Sequence, residues 1–403
     1  MYLHTATVKQ DKMIDTLNNT KLARINEVLA ATQPLHHGFL GGTLGLLYYY
    51  YYAAEALQDE SLYDKADVLI EQVFENLNND SSLLSGYAFS DGAAGLGYVL
   101  NNLQQNGLLE FDVETELAGI DRYIFDSALD HIAQTEVDYL HGAMGALHYF
   151  SSRLQTPVIN QYVNDLTAAF CAAAISHGDG IYFLNFSLER LNDKKIDLGL
   201  AHGLPGLLLL LINAWPHLKD KEQVATIIKR GISFILEQEQ PASLSTEEYS
   251  AFPCYLELDP YQSVRIDRLA WCYGDLNTVL LLYRAGKLLG TDAYTNIADQ
   301  IGLASANRKS EEATLSKDTH FCHGSAGLAQ FYKCLYQESG NPAYLDAYHF
   351  WIGVTMDLID QEIEKKQYAT NPVSILEGWP GVALVLTEYI TDRPMNWPKA
   401  FLL

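Results

Sequence analysis

One pattern recurs along this chain and restricts its fold more than any other: Gly-x-x-Gly followed by an apolar helical run. The glycine pairs are Gly42/Gly45, Gly92/Gly95, Gly142/Gly145, Gly203/Gly206, Gly324/Gly327 and Gly378/Gly381. A seventh copy keeps Gly274 but has Asn277 in place of the second glycine. The first glycines are 50, 50, 61, 71, 50 and 54 residues apart. Repeats of this length predict an array of seven similar structural units.

Each unit has room for two helices of about 15 residues and their connections. Between the glycine pairs, residues 59–77 place Leu62, Ala66, Leu69 and Val73 on one helical face, which is typical of an outer, half-exposed helix. The helices that follow the glycine pairs are apolar nearly all round, so we expect them to be buried on every side. We therefore predict an all-α fold, an (α/α) toroid of seven helical hairpins forming a single domain over 1–403, with a lead-in helix in 1–40.

Closure of such a ring gathers all the Gly-x-x-Gly loops at one end. We expect the residue before each first glycine to line that mouth, where the small glycines allow tight turns and close approach. These residues are Gly41, Asp91, His141, His202, Tyr273, His323 and Glu377. Cys272 and Cys322 lie one position further back, in equivalent places of adjacent repeats.

Two thiolates and one imidazole, from Cys272, Cys322 and His323, form a donor set that zinc prefers. Three protein ligands leave a fourth position for water or substrate, which is typical of a catalytic site. His320 is a competing ligand, although a loop or supporting role is favoured. Cys171 and Cys334 lie in helical patterns typical of core residues, and the role of Cys254 is open.

The five cysteines have irregular spacings that do not resemble a disulfide framework, so we expect reduced thiols. The N-terminus lacks the apolar core of a signal peptide, and no apolar run reaches the length of a membrane span, so the expected location is cytoplasmic. The net charge of -24, with no dense basic stripe, argues against nucleic acid as a partner. It indicates either a soluble acidic surface or attraction of a cationic substrate.

Three further residues are candidates for chemistry near the metal. His202 occupies the same repeat position as His323 but has no cysteine beside it, which favours a functional role. Asp138 lies four residues before Gly142, and Arg268 lies four residues before Cys272. At that position Asp138 could orient His202. Solvated surface charges would give the same pattern, so both interpretations of these two residues stay open.

With these residues in view, the chain resembles the LanC family of lanthipeptide cyclases. The resemblance lies in the seven glycine loops and in the motifs AHGxPG at His202, WCYG at Cys272 and CHG at Cys322 and His323. It implies an (α/α) toroid with one Zn²⁺ held by Cys272, Cys322 and His323. It also implies that Asp138, His202, Arg268 and Tyr273 belong to the active site.

The reaction implied by the resemblance is addition of a peptide cysteine thiol to dehydroalanine or dehydrobutyrine, which forms a lanthionine or methyllanthionine thioether. We expect His202, positioned by Asp138, to protonate the resulting enolate, and Arg268 to steady the enolate oxygen or the pocket. The implied partners are a dehydrated precursor peptide, a separate dehydratase and a transporter in a biosynthetic complex, which would place the enzyme at the membrane periphery.

Three alternatives stay open. Residues 240–265 are either a substrate-binding lip or an ordinary long loop. The scaffold could instead serve a transferase that adds glutathione to dehydrated residues, as eukaryotic LanC-like proteins do. It could also serve a noncatalytic peptide-binding protein with a structural zinc, for which a fourth protein ligand at the site would be expected.

Overall fold

A computed structural model describes residues 19–79, 84–110, 112–186, 195–240 and 249–403. Residues 1–18 of the predicted lead-in helix and residues 241–248 of the predicted lip lie outside these ranges. Within them the chain is mostly helical and forms an (α/α) toroid, which confirms the predicted fold. The inner ring comprises α2 (Thr43–Leu57), α4 (Ala93–Gln105), α6 (Met144–Ser152), α8 (Leu204–Ala214), α10 (Asp275–Leu289), α13 (Ser325–Ser339) and α15 (Trp379–Thr391).

The outer layer packs one amphipathic helix beside each inner helix. Its helices are α3 (Glu60–Asn78), α5 (Glu114–Ala133), α7 (Pro157–Ala172), α9 (Lys221–Leu236), α11 (Asp292–Ala306) and α14 (Pro342–Glu364). The helical residues 19–30, here α1, supply the seventh outer position, because Lys21 and Arg24 pair with Asp360 on α14. A short helix, α12 (Glu311–Thr314), precedes the sixth loop.

The two layers follow from the two kinds of helical sequence. On α3 the buried face is Leu62, Ala66, Ile70 and Val73, so Ile70 takes the place predicted for Leu69, which is half-buried. On α2, by contrast, five consecutive tyrosines (residues 48–52) are buried around the whole helix. Buried tyrosines require partners for their hydroxyl groups, and Asn102 accepts from both Tyr48 and Tyr52.

The second glycine of each pair allows the start of an inner helix to approach its own loop. A Cβ added at any of these six glycines would lie within 2.5 Å of the carbonyl oxygen six residues earlier. The closest approach is at Gly327, where that distance is 1.8 Å. In the degenerate copy, Gly274 has a φ of +117°, and the Asn277 side chain donates a hydrogen bond to the corresponding carbonyl, that of Trp271, at 2.9 Å.

Backbone hydrogen bonds link neighbouring loops around the mouth. Among the described residues they join six of the seven junctions: Phe39 to Ser90, Ser90 to Leu140, Leu200 to Cys272, Cys272 to Cys322, Cys322 to Leu376 and Ile375 to Leu40. The junction between the third and fourth loops has no such bond within the described part of the chain. The relative placement of side chains at the mouth is therefore set largely by main-chain contacts.

The two longest repeat steps contain small antiparallel sheets. Strands β1 (Ile175–His177) and β2 (Gly180–Tyr182) form a hairpin after α7. Strands β3 (Lys195–Asp197), β4 (Tyr255–Leu258) and β5 (Tyr261–Val264) form a sheet in the order β3-β4-β5, so the hairpin of β4 and β5 lies within the predicted lip. Because β3 runs into the fourth loop, this sheet flanks the mouth.

Near its C-terminus the chain packs into the centre of the ring. A 3-10 turn, Trp397–Phe401, places Phe401 against Trp271 and Phe321, with ring centroids 5.7 and 4.9 Å apart. The Trp271 indole N–H donates to the carbonyl of Phe401 at 2.9 Å. These contacts fill the centre of the ring beneath the loops.

Candidate active site

Cys272, Cys322 and His323 come together at the junction of the fifth and sixth loops. The backbone N–H of Cys272 donates to the carbonyl of Cys322 at 3.3 Å, which brings the two equivalent positions side by side. One ligand atom from each of the three residues lies within 4.8 Å of the other two. No other histidine, cysteine or acidic residue of the described ranges joins this group, so three donors are available to one metal ion.

The electrostatics of this group suit a cation. A hydrogen bond from the Cys322 thiol lowers the pKa of Cys272, and His323 and the positive charge of Arg268 assist, although burial opposes ionisation. The same hydrogen bond, together with burial, raises the pKa of Cys322 well above its ordinary value. The two shifts favour one thiolate and one thiol in the pair, and a bound divalent ion would supply the charge needed to remove the remaining proton.

His320 lies behind His323. Its Nδ1 accepts the backbone N–H of His323 at 3.3 Å, and its Nε2 is 3.2 Å from Oδ1 of Asp318. The two imidazole rings are perpendicular, with centroids 4.0 Å apart. Burial, with the neighbouring charges of His323 and Arg268, lowers the pKa of His320 to about 3. Both nitrogens of His320 thus contact groups other than the three donor atoms, namely the His323 backbone N–H and the Asp318 carboxylate, which suits a supporting residue.

His202 and Asp138 form a hydrogen-bonded pair across the junction of the third and fourth loops. His202 Nδ1 lies 2.9 Å from Asp138 Oδ2. Burial opposes ionisation of Asp138, but the charge and hydrogen bond of His202 outweigh it, so the pKa of Asp138 is lowered. Burial likewise disfavours a charged His202, but Asp138 outweighs it and raises the pKa of His202. Because the carboxylate accepts at Nδ1, the His202 Nε2 remains for exchange of a proton.

A cavity of about 360 Å³ connects the two groups. Its lining residues come from the loops of all seven repeats: His36, Leu40, Gly41, Ser90, Asp91, Leu140, His141, Ala201, His202, Trp271, Cys272, Cys322, Asn371, Ser374, Leu376 and Glu377. Five of the seven predicted mouth positions are among them. In the other two loops the lining residue is the cysteine that precedes Tyr273 or His323. A small molecule or peptide segment in this cavity would therefore contact both the thiols and His202.

Tyr273 and Arg268 lie beside the cavity. The Tyr273 hydroxyl donates to Asp197 Oδ1 at 3.3 Å, and its ring centroid is 6.5 Å from that of His202. Burial, reinforced by Asp197, raises the pKa of Tyr273, so the phenol stays neutral. Arg268 is half-buried, and its positive charge favours ionisation of Cys272 and of Asp318.

The whole chain matches one protein family. The model of the lanthionine synthetase C-like proteins matches residues 1–129 and 33–402. The chain belongs to the lanthionine synthetase C-like family. Nisin cyclase has the same fold as this LanC-like chain, with a TM-score of 0.73 over 97% of this chain and 98% of the cyclase at 18% identity.

A relative of this LanC-like protein is named for a different activity. Glutathione S-transferase LANCL1 of Danio rerio is 27% identical over 202 residues, which cover 50% of this chain and 45% of the relative. The alignment therefore spans less than half of the relative's length. Among the helices that the structure describes, none is long and apolar enough to span a bilayer.

Several residues of the LanC-like site were not identified from the sequence. Asn185, in the segment between the third and fourth repeats, donates to Asp138 Oδ2 at 2.9 Å and to the carbonyl of His202 at 3.3 Å. Ser90 lies 3.0 Å from His141, and His36 and Asn371 line the cavity. Ser90 shares the repeat position of Cys272 and Cys322, which is the one signal that could have identified it.

The remaining cysteines lie apart from the cluster. Cys171 and Cys334 are buried on α7 and α13, in agreement with the predicted core role. Cys254 is also buried, and its thiol donates to the carbonyl of Ile266 at 3.5 Å. Burial raises the pKa of Cys171 to about 12 and of Cys254 and Cys334 to about 11, so these thiols are protonated and unreactive at neutral pH.

Proposed function

We propose that this protein is a zinc-dependent lanthipeptide cyclase, which joins a peptide cysteine to a dehydroalanine or dehydrobutyrine of the same peptide. The observation that carries the proposal is the shared cavity: Cys272 and Cys322 line it together with His202. A thiol must be activated and a carbon protonated in this reaction, and the cavity places a candidate for each task within reach of one substrate. Family membership and the fold of nisin cyclase support the same function.

The metal ligands in this proposal are Cys272, Cys322 and His323. Their donor types match those of zinc sites that keep a position open, and no fourth side chain of the described residues completes the set. A zinc ion bound here would lower the pKa of a substrate thiol and so supply it as the thiolate. Arg268 favours the charged form of the protein thiols, so we assign it the steadying of the pocket.

His202 is the proton donor in this proposal. When the substrate sulfur bonds to the β-carbon, the electron pair of the double bond moves toward the carbonyl and forms an enolate, and the α-carbon then needs a proton. Asp138 holds His202 by Nδ1 and favours its protonated form, so Nε2 can deliver that proton. The thiol has lost one proton and the α-carbon gains one, so the peptide closes a ring without a change of mass. We assign Tyr273, beside His202, to the wall that positions the substrate.

A second candidate function is addition of glutathione to dehydrated residues. The 27% identity with Glutathione S-transferase LANCL1 is the observation that favours it. Both functions need an activated thiol and a protonated α-carbon, so the same side chains would serve. They differ in whether the thiol belongs to the peptide or to a separate molecule.

Mass spectrometry separates these functions. The purified protein with zinc is incubated with a synthetic peptide that contains one dehydroalanine and one cysteine, with and without glutathione. A cyclase consumes the free thiol without changing the peptide mass, and iodoacetamide then fails to alkylate the product. A transferase adds the mass of glutathione. If the peptide is unchanged in both reactions, the protein is not catalytic on such substrates and the proposal fails in favour of a noncatalytic peptide-binding protein.

A further inference from the structure

His141 is another imidazole in the cavity beside His202, and the proposed reaction does not yet use it. His141 directly precedes Gly142 in the third loop, and His202 directly precedes Gly203 in the fourth. The two histidines therefore occupy the same position in two consecutive repeats. Their rings are nearly parallel, with an interplanar angle of 14° and centroids 5.7 Å apart. Both rings line the cavity.

One carboxylate contacts both histidines. Asp138 Oδ1 accepts the backbone N–H groups of His141 and Leu140, each at 2.8 Å. Its other oxygen, Oδ2, accepts from His202 Nδ1 at 2.9 Å. Asp138 is completely buried and holds the main chain of His141 and the side chain of His202, so it links the positions of the two residues.

Ser90 contacts the ring of His141 at Nδ1, which bears on the nitrogen that carries the proton. Its Oγ lies 3.0 Å from His141 Nδ1, and the serine is only 2% exposed. Among the described residues, this nitrogen is the hydroxyl's one hydrogen-bond partner, and donation by the hydroxyl to Nδ1 is the arrangement that leaves no buried O–H group unsatisfied. A neutral His141 then carries its own hydrogen on Nε2. Desolvation by the surrounding protein lowers the pKa of His141 and outweighs the opposing charges of Asp138 and Asp91, and His202 adds to the lowering, which favours that neutral form.

We infer that His141 donates a hydrogen bond from Nε2 to the carbonyl oxygen of the dehydrated residue while His202 protonates its α-carbon. This assignment rests on the proposed cyclase function. As the sulfur bonds to the β-carbon, negative charge develops on that oxygen, and His141 stabilises it without giving up its proton. The proton on His202 Nε2 moves to the α-carbon, and the carbonyl double bond re-forms.

The spacing of the rings suits two adjacent atoms of one substrate. The α-carbon and the carbonyl oxygen of an amide are about 2.4 Å apart. Two donors on rings 5.7 Å apart can each lie about 3 Å from one of these atoms when the substrate sits between and above them. A neutral imidazole is a suitable donor to a developing oxyanion, because it stabilises the charge without competing for the proton that the carbon needs.

The first part of the test needs no substrate. The ¹⁵N chemical shifts of His141 in the zinc-bound protein are measured by NMR and assigned with a His141→Gln variant. We expect the Nε2–H form in the parent protein and a mixture of tautomers in Ser90→Ala. A parent protein with hydrogen on Nδ1 would overturn the inference whether or not the protein forms rings.

The second part uses the dehydroalanine peptide described above. His141→Phe keeps a ring but removes the donor, and we expect kcat to fall by about 10²–10³-fold with KM and zinc content nearly unchanged. His141→Gln keeps an N–H donor and should retain at least a tenth of the parent kcat. His349→Phe, the same substitution on the exposed face of α14, is the control.

The outcomes separate the two proposals. If the parent forms rings and His141→Phe matches it within threefold, His141 has no such role and the cyclase function stands. Equal losses in His141→Phe and His141→Gln would show that packing, not the donor, matters, and would also overturn the inference. If the parent protein forms no ring, the cyclase function fails, and the role of His141 fails with it.

Discussion

Asp138 Oδ2 and His202 Nδ1 are 2.9 Å apart, and this contact bridges the third and fourth Gly-x-x-Gly loops. Within the described residues, this is the one junction between neighbouring loops that has no backbone hydrogen bond. At the other six junctions the main chain links neighbouring loops directly. At this junction the link between the two loops is a side-chain contact to the proposed proton donor, whereas at the other six junctions it is a backbone hydrogen bond. Changes to Asp138 should act on the position and the charge of His202 together.

Replacing His202 by alanine should stop ring formation but leave zinc in place. The imidazole is outside the three-donor cluster, so metal binding does not depend on it. Loss of a general acid lowers kcat by about 10²–10⁴-fold. Ring formation is followed by mass spectrometry after thiol alkylation, and zinc by elemental analysis. A variant that forms rings at the parent rate would remove His202 from the mechanism.

The Asp138→Asn variant tests the charge that Asp138 provides. The carboxylate raises the pKa of His202, so in the parent protein the protonated acid persists to a pH above its ordinary range. With a neutral amide that support is lost, and the alkaline limb of the kcat profile should shift to lower pH. The profile of each protein is measured at saturating peptide and constant zinc content. An unchanged alkaline limb would mean that His202 does not govern it.

Cys272→Ala and Cys322→Ala should each abolish stoichiometric zinc. Each change leaves two donors, which cannot hold the ion against a chelator of moderate strength. Cys171→Ala is the matched control, because it removes a buried thiol on α7 far from the cluster in sequence and should keep one equivalent. Zinc is measured after dialysis against the chelator. One equivalent remaining in either cluster variant would refute the ligand assignment.

The repeat made most of the fold predictable. Because each glycine pair starts a buried helix, the spacing alone indicated seven hairpins and placed Cys272 and Cys322 at equivalent positions. Contacts from segments outside the repeat were not predictable, since no periodicity constrains them. Asn185 reaches Asp138 from an irregular segment, and Phe401 packs into the ring centre from a 3-10 turn near the end of the chain. Both contacts join residues far apart in sequence.

A buried ion pair beneath the fifth loop should be essential for stability. Asp275 follows Gly274 directly and is 3.0 Å from the Arg308 guanidinium, with both side chains almost completely buried. Asp275 also accepts the backbone N–H groups of Ala251 and Phe252. Removing the cation in Arg308→Met leaves the carboxylate buried without a positive charge beside it, which typically costs about 3–5 kcal/mol.

The cost is measured as the change in the free energy of unfolding in urea. The control is Lys317→Met, which removes the cation from an exposed pair with Glu311. That substitution should change stability by less than about 0.5 kcal/mol. Equal effects of the two substitutions would show that the Asp275 pair does not support the loop.

The second glycine of each pair should be intolerant of a methyl group, whereas a helical glycine elsewhere should accept one. At Gly327 a Cβ would lie 1.8 Å from the carbonyl oxygen of Phe321, a backbone atom that cannot move without displacing the sixth loop. At Gly353, exposed on α14, a Cβ would meet nothing within 4 Å. Gly353→Ala should therefore stabilise the protein by about 0.5–1 kcal/mol, because alanine favours the helix.

Gly327→Ala should lower the melting temperature strongly and, because the sixth loop carries Cys322 and His323, also weaken zinc binding. Thermal unfolding of both variants is measured with and without added zinc. Since the clash displaces the loop that holds two of the three donors, added zinc should stabilise Gly327→Ala less than Gly353→Ala. Equal stabilisation of the two variants by zinc would mean that the close approach at Gly327 sets packing alone and does not position the donors.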